Sequence, residues 1–262
     1  MQSYFKNKIV WITGASSGIG EALAYELNKN GAIVILSARN TEELQRVKNA
    51  LPNQNIDSTI LPLDMQNTAS FETLTASIID KYQRIDILIN NAGISQRALA
   101  MDTTLSDDKK ILDTNLFGPI ALSKSVLPYF IKQGNGHIVN ISSVMGKINT
   151  KYRTTYAASK HGMIGYFDSL RLELEGKVKI TNIMPGFINT NIVKNAVSTE
   201  YVEQNLNKAG MSATYFAIKA VRAIAKQKRE IYIGGFLEGF ALVMKRLSPT
   251  IFDLIIKNKK VT

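Results

Sequence analysis

The stretch KIVWITGASSGIG, residues 8–20, decides the fold of this chain. Its opening segment KIVWIT is largely apolar, which predicts a strand buried on both faces of a sheet. A cluster of glycines follows directly, and a helical pattern then runs from about Ile19 to Asn30 and closes at Gly31. Residues 33–37 predict a second strand. The chain therefore opens with a β-α-β unit whose first turn is rich in glycine.

The glycine turn favours the binding of a phosphate group. Glycines let a backbone approach a ligand closely and adopt positive φ. Free N–H groups at the start of the helix, together with the helix dipole, attract a pyrophosphate. The spacing is Gly-x-x-x-Gly-x-Gly rather than Gly-x-Gly-x-x-Gly, and an ordinary tight turn is the alternative. The residues of this turn expected to contact a dinucleotide are Gly14, Ser16, Ser17, Gly18, Ile19 and Gly20.

The end of the second strand indicates which dinucleotide is bound. A carboxylate here would hydrogen-bond the ribose 2′-hydroxyl of NAD, whereas an arginine accommodates the 2′-phosphate of NADP. The chain has Ser37-Ala38-Arg39-Asn40 and no carboxylate. Arg39 therefore predicts NADP(H) in preference to NAD(H), with an ordinary surface arginine as the alternative. Asp64 and Met65, which follow a third strand over residues 58–63, are expected to line the adenine.

Strand and helix patterns alternate along the rest of the chain. This alternation predicts an α/β fold, a single doubly wound Rossmann-type domain over residues 1–235 with a parallel sheet of about seven strands and helices on both faces. Ligands of such sheets lie beyond the carboxyl ends of the strands. Asn90-Asn91-Ala92-Gly93, at one of these ends, can therefore address the same ligand as the glycine turn. Further strands are expected over residues 85–89, 136–141, 178–184 and 230–233. Helices are expected over 42–50, 70–82, 105–116 with a following helix to about 132, 154–175 and 212–225.

A second stretch, SSVMGKINTKYRTTYAASK over residues 142–160, holds groups suited to proton transfer. Lys160 lies four residues after Tyr156, so both project from one face of a helix. An ammonium beside a phenol favours the phenolate and lowers the pKa of the tyrosine. A surface tyrosine lying along a lysine stem is the alternative. Asn115, a mediocre helix former beside Gly118-Pro119, predicts a local helix irregularity, or else faces solvent.

Together these motifs resemble the short-chain dehydrogenase/reductase family. The likeness covers roughly residues 6–235 and is closest in look to the branch that contains the 11β-hydroxysteroid dehydrogenases and related reductases. The residues that carry it are the turn over 13–20, the Asn-Asn-Ala-Gly segment over 90–93, Asn115, Ser143, Tyr156-x-x-x-Lys160, and Pro185-Gly186 followed by Thr190.

The resemblance implies an NADPH-dependent oxidoreductase that reduces a ketone or aldehyde reversibly. It implies that Tyr156 is the general acid and base, that Ser143 orients the carbonyl oxygen, and that Lys160 holds the nicotinamide ribose. Asn115 would position a water that links Lys160 to solvent. A homodimer or homotetramer is also implied. The remaining residues that the resemblance places beside the cofactor are Asn91, Ala92 and Gly93 at its sugar and Pro185, Gly186, Ile188 and Thr190 at its carboxamide.

The composition of the chain restricts the classes of function that it can have. The chain has 262 residues, a net charge of +11 and no cysteine, and His137 and His161 lie too far apart in sequence to suggest a metal site. The positive charge suits an anionic ligand, but no nucleic-acid recognition module is visible. The N-terminal segment MQSYFKNK lacks the apolar core of a signal peptide, which favours a cytoplasmic protein. A catalytically silent NADPH-binding regulator is the alternative function.

The resemblance implies that two regions, which vary within the family, surround the substrate. Residues 95–106 and 187–211 are expected to form the substrate mouth, with a lid over 190–210 that orders on ligand binding. The tail over 236–262 mixes apolar bulk with basic residues, and Pro249 divides it into two short helices. This tail predicts either a contact with another subunit or a peripheral membrane contact. Apolar candidates for the lining of the mouth, which favour a hydrophobic substrate, are Ile94, Leu99, Met101, Phe187, Ile188, Ile192 and Val193.

Overall fold

The computed structural model describes residues 1–190, 196–197 and 210–257. They form a seven-stranded parallel sheet with helices on both faces, as the sequence predicted. Within these ranges no helix is long and apolar enough to cross a membrane. Ile192, Val193 and most of the expected lid lie outside the described residues.

The central sheet is parallel throughout and reverses its strand order once. The strands of the described residues are β1 (Ile9–Thr13), β2 (Ile33–Ser37), β3 (Thr59–Ile60), β4 (Ile87–Asn90), β5 (His137–Ile141), β6 (Lys179–Pro185), β7 (Ile188–Asn189), β8 (Met211–Ser212) and β9 (Glu230–Ile233), of which β7 and β8 lie outside the central sheet. The sheet order is β3-β2-β1-β4-β5-β6-β9. Strands β1 and β4 are therefore neighbours although β2 and β3 intervene in sequence, and a crevice opens beyond their carboxyl ends.

The helices connect successive strands and cover the sheet. They are α1 (Gln2–Phe5), α2 (Gly18–Lys29), α3 (Thr41–Asn49), α4 (Phe71–Tyr82), α5 (Leu105–Leu112), α6 (Gly118–Gln133), α7 (Thr154–Glu173), α8 (Ala213–Ala225), α9 (Phe236–Leu247) and α10 (Pro249–Lys257). Side chains of Asn40, Thr104 and Ser212 accept backbone hydrogen bonds at the starts of α3, α5 and α8. These caps satisfy amides that would otherwise lack a partner within the helix.

Strand β1 shows how the core is divided between the two faces. Val10 and Ile12 pack on the side of α2 and α8, whereas Ile9 and Trp11 pack on the side of α4, α6 and α7. Because successive side chains of a strand point to opposite faces, a wholly apolar strand serves both layers. The Trp11 indole donates a 2.8 Å hydrogen bond to the Ser37 hydroxyl, so its polar atom is satisfied inside the core.

Three features differ from the sequence-based expectations. Strand β3 covers only Thr59–Ile60 rather than 58–63, since this edge strand pairs with β2 alone. The short helix α1 precedes β1, where no element was expected. The pair β7 and β8 forms a small separate sheet beside β6 that alternation did not predict. The division of the tail at Pro249 is confirmed, because Pro249 begins α10.

Candidate active site

The glycine turn between β1 and α2 requires glycine at three positions. Gly14 and Gly18 have positive φ values of 64° and 59°, a region that side chains with a Cβ atom disfavour. At Gly20 the constraint is steric, because a Cβ atom there would lie 2.1 Å from the carbonyl oxygen of Gly14. The turn therefore keeps its backbone exposed at the start of α2, which is the arrangement that a pyrophosphate needs.

The turn is tied to the segment that follows β4. The Thr13 hydroxyl accepts hydrogen bonds from the amides of Asn91 (3.0 Å) and Ala92 (3.1 Å). The Asn91 side chain donates in return to the carbonyls of Thr13 (2.9 Å) and Gly14 (3.1 Å). These bonds cross the reversal point of the sheet. They fix the distance between the glycine turn and the segment after β4, the two segments that the sequence predicted to contact the same ligand.

A cavity of about 1080 Å³ opens along this edge of the sheet. Its size and the backbone surface of the turn fit a dinucleotide. Arg39, which is exposed, lines it together with Asn40, and Tyr156 lines it as well. The other predicted site residues that line it are Gly14, Ser16, Ser17, Gly18, Ile19, Asp64, Met65, Asn91, Ala92, Gly93, Ser143, Lys160, Pro185, Gly186, Ile188 and Thr190. Gly20 and Asn115 support this wall through the contacts of Gly20 with Gly14 and of Asn115 with Gly93.

Ser143 stands at the carboxyl end of β5, where the chain turns into a short 3₁₀ segment, Val144–Gly146. Its hydroxyl accepts a 3.1 Å hydrogen bond from the Met145 amide. The same hydroxyl lies near Tyr156 and acts to lower the pKa of that phenol. Ser143 and Tyr156 therefore come together from β5 and α7, as the thirteen-residue spacing between them allows.

Tyr156 lies in the first turn of α7 and is only 7% exposed. Burial raises its pKa above the usual value, while the positive charge of Arg153 and the nearby Ser143 hydroxyl act in the opposite direction. The Arg153 guanidinium carbon lies 5.6 Å from the centre of the Tyr156 ring. The pKa of Tyr156 is therefore raised, not lowered as the sequence led us to expect, because desolvation outweighs the nearby charges. At neutral pH Tyr156 is a protonated phenol.

Lys160 is 3% exposed, and its ammonium donates a 3.0 Å hydrogen bond to the carbonyl oxygen of Ile141. The Nζ atom lies 5.8 Å from the centre of the Tyr156 ring. Burial lowers the pKa of Lys160 to about 8, because an ammonium loses its hydration in this position. Lys160 and Tyr156 share one face of α7, as their spacing predicted.

Asn115 lies in a π-helical turn, Asp113–Phe117, between α5 and α6. The predicted irregularity is therefore confirmed, and Asn115 is fully buried rather than facing solvent. Its side-chain amide accepts a hydrogen bond from the Ile94 backbone N–H and donates hydrogen bonds to the Ile94 carbonyl oxygen and the Ser159 hydroxyl, all within 3.1 Å. It thus fastens the segment after β4 to α7. Gly93 lies between Asn115 and Lys160, since a Cβ atom there would come within 3.6 Å of both side chains.

Glu238 is a structural contact that sequence reasoning missed. From the first turn of α9 it accepts hydrogen bonds from the Phe187 amide (2.7 Å), the Gly235 amide (2.9 Å) and the Tyr232 hydroxyl (2.9 Å). It therefore fastens the Pro185-Gly186 turn to the tail. The only available signal was a glutamate three residues after Gly235, in the position that pairs with a helix cap.

The tail also packs on the loop that carries Ser143. Phe252 in α10 is only 3% exposed and joins a cluster with Val144, Met145, Ile148 and Tyr156. Leu237, Glu238 and Ala241 of α9 line the cavity. The sequence-based division of the chain at residue 235 therefore separates the tail from the cavity, although residues of the tail form part of the cavity wall.

Gln96 and Arg153 are two further residues that the spacing did not single out. The side-chain oxygen Oε1 of Gln96 accepts hydrogen bonds from the backbone amides of Thr155 (2.9 Å) and Tyr156 (3.3 Å) at the start of α7. Arg153 donates to the Ser95 hydroxyl and lines the cavity. The loop after β4 therefore supports the end of α7 that carries Tyr156.

The parallel sheet, the glycine turn and the Ser143, Tyr156 and Lys160 set define an oxidoreductase of the Rossmann type. The family model for short chain dehydrogenase matches residues 8–201, and the chain belongs to this family.

Curated relatives cover most of the chain. It is 41% identical to human dehydrogenase/reductase SDR family member 7 over 235 residues, which span 86% of this chain and 69% of that protein. It is 35% identical to mouse dehydrogenase/reductase SDR family member 7B, over 98% of this chain and 83% of that protein.

Solved structures show the same fold. A short-chain dehydrogenase from Streptomyces avermitilis superposes with a TM-score of 0.81 at 26% identity, over 98% of this chain and 99% of that one. An alcohol dehydrogenase from the archaeon Thermococcus sibiricus, solved in complex with 5-hydroxy-NADP, gives a TM-score of 0.78 at 22% identity. It covers 88% of this chain and 97% of the archaeal chain. At this identity the second likeness speaks for the fold alone.

Proposed function

We propose that the protein is an NADPH-dependent reductase of ketones or aldehydes carried by hydrophobic molecules. The observation that carries the proposal is the buried, protonated phenol of Tyr156, which lines the same cavity wall as Ser143 and Lys160. A nicotinamide bound in this cavity supplies a hydride. The protein's own contribution is to orient the carbonyl group and to provide a proton.

Each of the three side chains has one task in this scheme. The Ser143 hydroxyl donates a hydrogen bond to the carbonyl oxygen and so fixes its position. Tyr156 gives its phenolic proton to that oxygen. Because its pKa is raised, the phenol is protonated at neutral pH and can act as the acid. The pKa of Lys160 is about 8, so this side chain remains largely an ammonium at pH 7. Its positive charge stabilises the Tyr156 phenolate that is left after proton transfer.

The character of the cavity wall supports a hydrophobic substrate. Ile94, Phe187 and Ile188, which the sequence proposed as lining, face the cavity, whereas Leu99 and Met101 are exposed side chains outside that set. Transfer of apolar substrate surface onto such a wall is favourable in proportion to the area removed from water. Further apolar residues of the wall are Val144, Met145, Ile148, Leu237 and Ala241.

The test of this proposal is a screen of NADPH oxidation with ketones and aldehydes of increasing apolar size, including steroids, retinoids and acyl-linked ketones. Turnover of at least one class, lost in a Tyr156→Phe variant, supports the reductase. Tight NADPH binding with no turnover on any class would contradict it and favour the catalytically silent alternative.

Arg39 gives a prediction about the cofactor. We expect Arg39→Ala to weaken NADPH binding by about tenfold or more and to leave NADH binding near the wild-type value, because the variant loses a charge-assisted bond to the 2′-phosphate. Fluorescence titration of both cofactors measures this. Lys124→Ala, which removes an exposed cation from α6, is the matched control. Equal losses for both cofactors would contradict the role of Arg39.

The tail supports a proposal about assembly. The exposed apolar residues of α9 and α10 are Phe236, Leu237, Phe240, Val243, Leu247, Ile251, Leu254 and Ile255. We propose that this face contacts a second copy of the chain, because exposed apolar patches of this kind mark interaction surfaces. Lys245, one of the basic residues counted toward a membrane contact, already pairs with Asp253 at 3.2 Å.

The variant Leu254→Glu tests whether the exposed apolar face of α9 and α10 contacts a second copy of the chain or a membrane. The variant retains Phe252 and Glu238, which a truncation would remove together with the cavity wall. We expect the wild type to sediment as a dimer or tetramer in analytical ultracentrifugation and Leu254→Glu to shift toward monomer. A wild-type monomer that sediments with anionic liposomes in a salt-sensitive manner would contradict the proposal and support the membrane.

A further inference from the structure

The segment at the end of β6, residues 185–188, lies beside Ser143 in the cavity wall. Strands β5 and β6 are parallel neighbours in the sheet, and the Ser142 amide donates a 2.8 Å hydrogen bond to the Ile183 carbonyl oxygen of β6. Their carboxyl ends are therefore adjacent, and Ser143 follows one end while residues 185–188 follow the other. All four residues of this segment line the cavity. Its position helps to set the shape of the wall next to Ser143.

The backbone of this segment is held from three sides. The Gly186 amide donates a 2.9 Å hydrogen bond to the Ile233 carbonyl oxygen of β9, and the Phe187 carbonyl oxygen accepts a 3.0 Å hydrogen bond from the Met211 amide of β8. The third contact is made by a side chain, because the Phe187 amide donates to the Glu238 carboxylate at 2.7 Å. The position of Phe187 therefore depends on a residue of the tail.

The Glu238 carboxylate is itself fixed in orientation. Its Oε1 atom accepts from the Phe187 amide, and its Oε2 atom accepts from the Gly235 amide and the Tyr232 hydroxyl, both at 2.9 Å. Burial and the neighbouring carboxylate raise the pKa of Tyr232, so this hydroxyl remains a donor at neutral pH. Glu238 thus connects the end of β6, the end of β9 and the start of α9 through three hydrogen bonds.

The backbone around Glu238 leaves room for this contact. A Cβ atom at Gly186 would lie 2.2 Å from the Oε2 atom of Glu238, and one at Gly234 would lie 2.8 Å from the Cα atom of Gly186. Capping α9 requires only the local bond to the Gly235 amide, three residues away, whereas the bond to the Phe187 amide spans 51 residues. The close approach therefore serves the contact with the cavity wall as well as the helix cap.

We propose that Glu238 is a positioning residue for the reductase, which holds the wall segment 185–188 against the nicotinamide through the Phe187 amide. The inference rests on the proposed reductase function and assigns a part in it to the tail. Hydride transfer requires the donor and acceptor carbons to be close and aligned, and an error of about 1 Å costs on the order of 100-fold in rate. In this role Glu238 exchanges no proton and acts through the wall alone.

Two variants of nearly equal shape test the role of Glu238. Glu238→Met removes both accepting oxygens, whereas Glu238→Gln keeps one that can accept from the Phe187 amide. With saturating NADPH and a substrate from the carbonyl screen, we expect Glu238→Met to lower kcat by about 10–100-fold and Glu238→Gln to recover part of this loss. The Kd of NADPH should stay within about threefold of the wild-type value, because the glycine turn after β1 is expected to hold the pyrophosphate.

Glu72→Met is the matched control, because Glu72 is also a glutamate in the first turn of a helix and is exposed on α4. Its kcat should equal that of the wild type. All rates are measured well below the melting temperature of each variant, so that a loss of stability does not lower them. If Glu238→Met does not fold, Glu238→Ala removes the same oxygens and replaces it. A wild-type kcat without the carboxylate, or equal losses in Glu238→Met and Glu238→Gln, would overturn the inference.

The fluorescence anisotropy of bound NADPH is a second readout, and it needs no turnover. We expect the nicotinamide ring to be held less rigidly in Glu238→Met, so that the anisotropy at saturation falls below the wild-type value and is unchanged in Glu72→Met. NADPH binding without turnover by the wild type would refute the reductase, and the anisotropy comparison would still decide the role of Glu238. Wild-type turnover and anisotropy in Glu238→Met would refute the positioning role and leave the reductase intact.

Discussion

Tyr156→Phe is expected to lower kcat for carbonyl reduction by about 10²–10⁴-fold. The change deletes one oxygen atom and leaves the aromatic ring in its buried position, so the packing with Val144, Met145 and Phe252 is retained. What is lost is the proton donor within hydrogen-bond reach of a carbonyl held at Ser143. Because the effect falls on proton transfer, we expect KM to change much less than kcat.

Tyr129→Phe is the matched control for this result. It removes the same hydroxyl group from α6, at a position outside the cavity wall. Steady-state kinetics on a substrate from the carbonyl screen, together with NADPH titration by fluorescence, separates chemistry from binding. Activity of Tyr156→Phe within about threefold of wild type would contradict the role of Tyr156, given that general acid catalysis contributes at least about 100-fold.

The pKa of Tyr156 illustrates a limit of arguments from spacing. The four-residue spacing places Lys160 on the same face of α7, and the structure confirms this. Spacing cannot show how deeply both groups are buried, and burial alone raises the pKa of Tyr156 and lowers that of Lys160. The nearest charge to act on Tyr156 is Arg153, whose position depends on a loop conformation rather than on helical periodicity.

The sheet could be predicted because its signals are local. Each buried strand is an apolar run followed by polar or glycine-rich residues, and a parallel sheet brings those carboxyl ends to one edge. Asn91, which is bonded to Thr13, and Ser143 line the same cavity at that edge, as the order of the patterns implied. The irregular turn at Asn115 was visible for the same reason, since an asparagine beside Gly118-Pro119 fits an ordinary helix poorly.

Contacts between distant segments left no comparable signal. Glu238 reaches back 51 residues to the Phe187 amide, and Gln96 reaches forward 59 residues to the Thr155 amide. Both are common polar residues with no distinguishing neighbours in sequence. Phe252 resembled the rest of the apolar tail, although it alone among the large apolar residues of α10 with described side chains is buried. Such contacts depend on tertiary packing, which periodicity does not encode.

Gly20→Ala is expected to have the second large effect, although it adds only one methyl group. The new Cβ atom would lie 2.1 Å from the Gly14 carbonyl oxygen and 2.5 Å from the side-chain nitrogen Nδ2 of Asn91. Neither atom is the free end of a flexible side chain, because Asn91 is bonded to the carbonyls of Thr13 and Gly14. The methyl group must therefore displace the turn or the start of α2, which costs about 1–3 kcal/mol of stability.

The same displacement moves the amides that face the cofactor. A shift of about 1 Å in a positioning element costs on the order of 100-fold in rate, so kcat/KM for NADPH is expected to fall by about that factor. Gly165→Ala is the control within the same chain, because Gly165 lies on the exposed side of α7 and a Cβ atom there has open space around it. Alanine in a helix is favoured over glycine, so this control should gain about 0.5–1 kcal/mol. Chemical denaturation and NADPH titration of both variants provide the comparison, and a Gly20→Ala protein with wild-type stability and NADPH affinity would show that the turn can relax around a side chain.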